Sequence, residues 1–236
     1  MIDILVPVLG RPHNAQPLVD SAKVTQNPYR LVFICSPHDS EQIAASKATG
    51  ADVLVVEWQP GSGDYAKKIN HAFRETDSEW IFTGADDIRF TAEWDTRAVS
   101  FGIRKRKRVI GTNDLHNPSV KMRQGSTHTL IARSYIKRYG GTEDGTGEVL
   151  CELYDHQYVD AELIEVARRR GEWLSCPTSV VEHFHPHWGN AESDPTYVKA
   201  LRRSNADRRL YFQRMGRGRR SVKKPREKMQ GRRSRW

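Results

Sequence analysis

The amino-acid sequence predicts an α/β protein with a mainly parallel central sheet. Up to Gly84, four short apolar segments alternate with segments of helical periodicity. The apolar segments are nearly continuous, which is typical of strands that helices cover on both faces. A strongly basic segment follows at the C-terminus. These observations predict one α/β domain with a basic C-terminal tail.

Apolar runs, cap residues and glycines place the elements in order. Four strands are predicted in the first part of the chain, at Ile2–Val8, Arg30–Ser36, Asp52–Trp58 and Trp80–Gly84. Three helices are predicted between them, at Asn14–Val24, within Ser36–Gly50 and at Tyr65–Arg74. The later pattern is less regular. Strands are predicted at Arg108–Asp114 and Ser126–Arg133, and helices at Gln157–Gly171 and Ser193–Phe212. A late strand-like run precedes His183.

Composition excludes several classes of protein. The three cysteines are scattered and form no CxxC motif, so neither a disulfide framework nor a zinc knuckle is predicted. No apolar run approaches the roughly 20 residues of a membrane-spanning helix. The N-terminal apolar run is also too short for a signal peptide. The expected protein is therefore soluble, reduced and cytoplasmic, with no transmembrane segment.

The positive charge of the chain is concentrated at its C-terminus. Residues 202–236 contain 15 Lys or Arg and 2 Asp or Glu, a charge of +13, whereas the whole chain carries +9. Residues 1–201 are therefore mildly acidic, at −4. The segment after Phe212 has almost no apolar residues to offset the entropy of ordering. We therefore predict a disordered basic tail at 213–236, which could bind a polyanion.

Asp86 and Asp87 come directly after the fourth predicted strand, in the stretch EWIFTGADDIRF. Two like charges do not stabilise each other, so a positive group is expected beside them. Ligands of parallel sheets bind at the carboxyl ends of the strands, where Pro7–Arg11 and Cys35–Asp39 are also expected. Paired carboxylates suit a hard divalent cation. The alternative is a solvated loop in which one aspartate caps the next helix.

A histidine cluster follows the late strand-like run, in VEHFHPHW. His183, His185 and His187 alternate, so a continuous strand would project all three to one side. Imidazole suits Mn²⁺ or Zn²⁺ better than Mg²⁺. Any one of the three could instead be a hydrogen-bonded or stacked histidine without a metal.

Between Ile2 and Gly189 the sequence resembles the GT-A-type family 2 glycosyltransferases. Five stretches carry the resemblance, in the family's order: ILVPVLGRPHNAQPLVDS, GSGDYAKKINHAF, WIFTGADDI, YVDAELIEVARRRG and VVEHFHP. They are similar to the opening strand and helix, the Gly-rich approach to an asparagine-containing helix, the strand ending in the DxD motif, the segment with the catalytic acidic residue, and the late strand with a metal-binding histidine. One departure is Gly84, which stands where the family commonly has the first Asp of DxD.

The resemblance implies transfer of a sugar from a nucleotide diphosphate donor to an acceptor hydroxyl, with inversion. It implies a Mn²⁺ or Mg²⁺ site formed by Asp86 and Asp87 with His183, or with His185 in its place. Asp160 would be the general base, with Asp155 and Glu162 as rivals. The implied contacts to the nucleotide sugar are Pro7, Leu9, Arg11, Asp39, Lys67 (or its neighbour Lys68), Asn70 and Asp86.

The resemblance also implies a division of the chain and leaves other functions open. The domain would span 1–212, with a nucleotide-sugar half at about 1–112 and an acceptor half at about 113–212. Three alternatives remain: a nucleotidyltransferase acting on sugar phosphates, a metal-dependent hydrolase, and a nucleic-acid-binding protein that uses its basic tail. GSGDYAKK lacks the spacing of a P-loop. The acceptor and the identity of the sugar are not predicted.

Overall fold

The first half of the chain alternates strand and helix, as its apolar pattern predicts. The computed structural model describes residues 1–145, 147–194, 197–198 and 204–218 of the 236. The elements of this half are β1 (Ile2–Pro7), α1 (Ala15–Ala22), β2 (Tyr29–Cys35), α2 (Ser40–Ala48), β3 (Asp52–Val55), α3 (Asp64–Glu75) and β4 (Trp80–Thr83).

The second half is less regular, again as expected. Its elements are β5 (Ile88–Phe90), α4 (Trp94–Lys105), β6 (Val109–Asn113), α5 (Pro118–Lys121), β7 (Thr129–Ala132), α6 (Arg133–Tyr139), α7 (Val159–Arg169), β8 (Trp173–His183) and α8 (Ser204–Gly218). Within the described residues no helix is both long and apolar enough to cross a membrane.

The described strands form one eight-stranded sheet in the order β3-β2-β1-β4-β7-β6-β8-β5. Four neighbouring pairs are parallel, and β7 and β5 pair antiparallel to their neighbours. The predicted α/β class with a mainly parallel sheet is confirmed. From β1 the chain proceeds outward to β2 and β3 and then returns to place β4 on the other side of β1. The carboxyl ends of β1 and β4 therefore flank a topological switch point, where ligands of such sheets bind.

Two apolar cores cover the two faces of the sheet. Alternate residues of β1 contribute to opposite faces: Ile4 packs with Phe82 and Trp94, whereas Leu5 packs with Ile69 and its neighbours. This double burial explains why β1 reads as a continuous apolar run rather than an alternating one.

Some elements differ from the prediction. β3 ends at Val55 rather than at Trp58, because its partner β2 ends opposite, at Cys35. β8 is one long strand that contains Pro177, with an irregular register against β6. The short elements β5, α5 and α6 were not predicted.

The histidine cluster departs from its predicted geometry. β8 ends at His183, and a single 3₁₀ turn, Pro186–Trp188, follows. The three histidines therefore do not alternate along one strand, and His187 is exposed. Proline at 186 has no backbone N–H for the sheet, which accounts for the early end of the strand.

Helix α8 extends six residues beyond Phe212, the expected boundary between domain and tail. Its Arg214 is only 9% exposed and forms a bidentate pair with Glu162, which is 0% exposed, at 2.7 Å to each oxygen. Asp144 also pairs with this guanidinium, and Met215 is buried. The domain therefore includes at least the first residues assigned to the tail. Residues 219–236 lie outside the described residues, so a disordered tail stays a prediction.

We expect Arg214→Met to destabilise the protein by about 3–5 kcal/mol, because the buried Glu162 carboxylate would lose its charged partner. Arg209→Met is the matched control, since Arg209 is exposed on the same helix and its loss should change the free energy of unfolding by less than about 0.5 kcal/mol. Urea denaturation measures both, and adding Glu162→Gln to Arg214→Met should recover much of the loss. Equal stability of the two arginine variants would contradict a structural role for α8.

Candidate functional site

A cavity of about 280 Å³ opens at the switch point between β1 and β4. Most of the predicted site residues line it: Pro7, Leu9, Arg11, Asp86, Asp87, Asp160, His183 and His185. They come from the ends of β1, β4 and β8 and from the beginning of α7. The sheet topology thus brings together residues that are up to 178 positions apart in the sequence.

Three predicted nucleotide-contact residues are not among those lining the cavity. Asp39 caps α2 by accepting from Gln42 and also accepts from the Gly10 N–H at 2.6 Å. Asn70 is buried and bonds the backbone of Val149 and Leu150. In these positions Asp39 and Asn70 support loops around the site.

Lys67 is the third of these residues, and its ammonium donates to the Ser62 carbonyl. Its neighbour Lys68 lines the cavity instead. Lys68 is buried, and its ammonium donates to the Val8 carbonyl and the Ser36 hydroxyl at 2.8 Å each and pairs with Asp64 at 2.9 Å. Of the two lysines, only Lys68 lines the cavity, and protein oxygens engage its three N–H donors.

Arg11 is the positive group that the paired aspartates require. Its Nη1 lies 3.1 Å from Asp86 Oδ1 and 3.3 Å from Asp87 Oδ2. Its Nε lies 2.7 Å from a third carboxylate, that of Asp194. All of Arg11, Asp86 and Asp87 are buried. One guanidinium therefore faces three carboxylates, and the cluster retains an excess of negative charge.

Tyr197, which comes later in the chain, packs against this cluster. The Arg11 guanidinium lies over its ring, 3.9 Å from the centroid. Its hydroxyl donates to Asp87 Oδ2 at 2.8 Å, and its ring contacts His185 at 4.6 Å between centroids. Its backbone N–H donates to Asp194 Oδ1. Tyr197 lines the cavity, and Asp194 binds both Tyr197 and Arg11.

The two aspartates differ in their electrostatic environment. Burial raises the pKa of Asp86 above its ordinary value, and the neighbouring Asp87 charge raises it further, against the opposing effect of Arg11. Burial acts in the same direction on Asp87, but His183, Tyr197 and Arg11 outweigh it and hold the pKa of that carboxyl well below its usual range. Because the cluster is short of positive charge, its free energy would fall on binding a further cation.

Two buried nitrogen atoms around the cavity, His183 Nδ1 and His128 Nε2, have no hydrogen-bond partner in the described structure, and Asp87 Oδ1 has only its ion pair with His183. The Nε2 atom of His183 lies 3.4 Å from Asp87 Oδ1. Burial and the nearby His183 lower the pKa of both His128 and His185 to about 4, which keeps these imidazoles neutral and able to act as ligands. Buried polar atoms are nearly always paired, so these atoms require a ligand, an ion or an ordered water.

The donor set fits a divalent cation chemically. Carboxylates from Asp86 and Asp87 and an imidazole from His183 suit Mn²⁺, and the unpartnered atoms lie among them. Among the described residues, the one group of three possible ligand atoms within 4.8 Å of one another is Asp144, Cys151 and Glu162, which Arg214 already engages. The ligand atoms around the cavity are more widely spaced, and Arg11 lies between the two aspartates. A cation would therefore have to displace the Arg11 guanidinium.

Gly84 occupies a position that leaves little room for a side chain. A Cβ atom there would lie 3.1 Å from the Leu5 carbonyl oxygen and 3.3 Å from a methyl group of Val6. Its own carbonyl accepts from the Tyr65 hydroxyl. Close packing against β1 accounts for glycine at the position where the DxD pattern has its first aspartate.

Asp160 lines the same cavity as Asp86, Asp87 and His183, and it lies in the first turn of α7. Burial raises its pKa to about 6, although the backbone N–H groups of Ala161 and Asp160 act to lower it. The other two candidates for the general base differ in their access to the cavity. Glu162 is fully buried and is bonded to Arg214 and Tyr154, whereas Asp155 lines the cavity.

The loop before α7 is held in place by two supports. Asp207 of α8 accepts hydrogen bonds from the backbone N–H groups of residues 155, 156 and 157, at 2.8–3.0 Å. Gly63 donates to the Asp155 carbonyl, and a Cβ atom at 63 would lie 2.5 Å from the Glu152 carbonyl oxygen. Only glycine at this left-handed position (φ 73°) permits the approach. The Gly-rich turn and α8 thus position the segment that leads to Asp160.

Known structures with a similar fold were found by comparison. Glucosyl-3-phosphoglycerate synthase from Mycobacterium tuberculosis, in complex with Mn²⁺, UDP-glucose and phosphoglyceric acid, superposes with a TM-score of 0.63 at 12% identity, covering 92% of this chain and 80% of that one. A mannosyltransferase from Pyrobaculum calidifontis, in complex with GDP-Man and Mn²⁺, gives a TM-score of 0.66 at 13% identity, covering 95% of this chain and 65% of that one. The protein has a GT-A-type fold. No family model and no curated protein matches the sequence.

The GT-A-type fold places residues in the site that sequence reasoning missed: His128, Asp194, Tyr197 and Asp207. Each has a hydrogen-bond partner at least 45 positions away in the sequence, a contact that no local motif indicates. Lys68 did have a signal. It lies four residues before the buried Ala72 and therefore shares a helical face with it, whereas Lys67 does not.

Proposed function

We propose that this protein transfers a glycosyl group from a nucleoside-diphosphate sugar to an acceptor hydroxyl, in a reaction that depends on a divalent cation. The observation that carries the proposal is the cavity at the switch point, whose lining brings Asp86, Asp87 and His183 together with Asp160. The fold supports it, since both solved structures compared above are glycosyltransferases with Mn²⁺ and a nucleotide sugar.

Asp86, Asp87 and His183 would hold the cation, with His185 as the alternative imidazole. A bound Mn²⁺ or Mg²⁺ neutralises the negative charge that develops on the departing diphosphate. Arg11 is displaced from the aspartates in this state and, as a guanidinium, can bind phosphate oxygens of the same ligand. Pro7 and Leu9 offer an apolar surface to the nucleoside at the end of β1.

Asp160 would act as the general base. The acceptor oxygen attacks the anomeric carbon while the bond from that carbon to the diphosphate oxygen breaks, and the acceptor proton passes to the Asp160 carboxylate. The diphosphate leaves with the electron pair of the broken bond. A base on the opposite side of the sugar from the leaving group would give inversion at the anomeric carbon, which we propose for this reaction.

The products formed from a nucleotide sugar test this function and separate it from its alternatives. With Mn²⁺ and no acceptor, slow transfer to water should release nucleoside diphosphate and free sugar, with inverted configuration when observed by NMR before mutarotation. A hydrolase acting on the diphosphate would release nucleoside monophosphate and sugar phosphate. A nucleotidyltransferase would consume sugar phosphate and nucleoside triphosphate and release pyrophosphate. Either of the last two outcomes would overturn the proposal.

The proposal also covers the C-terminal tail and the cellular location, in less detail. The charge of +13 in residues 202–236 supports binding of a polyanion, which would place an acidic acceptor or assembly near the domain. Three buried cysteines without disulfides support a reducing compartment such as the cytoplasm.

A further inference from the structure

His128 is fixed at the entrance to β7, beside the end of β4. Its backbone carbonyl accepts from the hydroxyl groups of Thr112 and Ser126, and its ring Nδ1 lies 2.9 Å from the Thr83 carbonyl oxygen. The side chain is 4% exposed and lines the cavity. Its ring meets that of His183 edge to face, with 5.0 Å between centroids.

The hydrogen bond to Thr83 determines the tautomer of the ring. A carbonyl oxygen can only accept, so Nδ1 must carry the proton, and the lone pair of a neutral imidazole is then on Nε2. This Nε2 atom is buried and has no partner in the described structure. Imidazoles that bind metals typically donate their second nitrogen to a backbone carbonyl or a carboxylate in this way.

One further unpartnered atom, Nδ1, belongs to the neighbouring His183 ring. The other nitrogen of that ring, Nε2, lies 3.4 Å from Asp87 Oδ1. Burying unpartnered polar atoms costs free energy unless something binds them. His128 Nε2, His183 Nδ1 and the Asp87 carboxylate can each donate an electron pair, which is the property required of cation ligands.

We propose that His128 is a ligand, through Nε2, of the divalent cation that Asp87 and His183 bind, and that it makes the site selective for Mn²⁺ over Mg²⁺. This inference rests on the proposed function. Two imidazoles disfavour Mg²⁺, which prefers oxygen ligands, and favour a softer ion such as Mn²⁺. Cation binding draws the three groups together once Arg11 has left Asp87.

The direct test counts the imidazoles bound to Mn²⁺ in the full-length protein without any nucleotide. Pulsed EPR of the Mn²⁺ complex should resolve ¹⁴N couplings from two imidazoles in the wild type. His128→Asn should leave one, because the asparagine amide can still donate to Thr83 but has no atom in place of Nε2. Its affinity for Mn²⁺ should fall about tenfold or more, while its weaker affinity for Mg²⁺ changes little.

Two further variants complete the design. His71→Asn removes a histidine that packs on Trp58 and does not line the cavity, so two couplings and wild-type affinity are expected. His128→Gln restores an oxygen ligand near the Nε2 position, so it should show one coupling and an Mn²⁺ affinity between those of the wild type and His128→Asn.

The outcomes separate the inference from the proposed function. A wild type that binds Mn²⁺ with a single imidazole, or a His128→Asn variant that keeps full affinity and both couplings, overturns the role of His128 alone. A wild type that binds no Mn²⁺ overturns the cation dependence of the proposed function as well. If both His128 variants fail to fold, the number of imidazole couplings in the wild-type spectrum still tests the inference.

Discussion

Asp160→Asn is expected to reduce turnover by about 10²–10⁴-fold while leaving the affinity for the nucleotide sugar near that of the wild type. The asparagine amide has nearly the same shape as the carboxylate but cannot accept the acceptor proton. Single-turnover transfer and equilibrium binding of the donor measure the two effects separately. Glu165→Gln is the control, since Glu165 pairs with Arg168 and Arg169 on the surface of the same helix.

The pH dependence of this reaction follows from the burial of Asp160. Its pKa is raised to about 6, so the carboxylate that acts as base is present above that pH and is lost as the pH falls through it. The turnover of the wild type should therefore rise as the pH increases through about 6. Asp155→Asn should keep this dependence. If it abolishes turnover instead and Asp160→Asn does not, Asp155 is the base.

The N-terminal half of the fold could be predicted because its strands are continuous apolar runs separated by amphipathic helices. Such a pattern arises when both faces of a parallel sheet are buried, as Ile4 and Leu5 of β1 show. β5 has only three residues and α6 only seven, too few for a periodicity to be read. The late histidines gave a strand-like pattern, but Pro186 ends that strand.

The acidic residues of the candidate site could be predicted from the sequence, but their arrangement could not. Asp86 and Asp87 stand out because like charges rarely follow a buried strand without a positive partner. That Arg11 is this partner depends on β1 and β4 being neighbours in the sheet. His128 and Tyr197 approach from elsewhere in the chain and leave no local signature.

Asp86→Asn is expected to abolish the part of nucleotide-sugar binding that depends on Mn²⁺. The substitution removes one negative charge and one ligand from the proposed cation site. The affinity in Mn²⁺ should fall to its metal-free level, a loss of at least about tenfold, or 1.4 kcal/mol. The fold should tolerate the change, because burial and Asp87 already disfavour the ionised form of Asp86.

Asp77→Asn is the matched control for loss of a carboxylate, since the Asp77 side chain is 93% exposed. Its affinity for the nucleotide sugar should equal that of the wild type. The thermal unfolding midpoint of Asp86→Asn should be no lower than that of the wild type at pH 8. A folded Asp86→Asn variant with unchanged Mn²⁺-dependent affinity would show that the cation binds elsewhere.

The most direct test of a cation-dependent nucleotide-sugar site at Asp86 and Asp87 is calorimetric titration of the wild-type protein. UDP-glucose and GDP-mannose, the donor types of the two structures compared above, are titrated with and without Mn²⁺. We predict that at least one of them binds with an affinity that Mn²⁺ increases at least about tenfold and that Asp86→Asn reduces to the metal-free value. Binding of either donor with an affinity that neither Mn²⁺ nor the substitution changes would contradict the account.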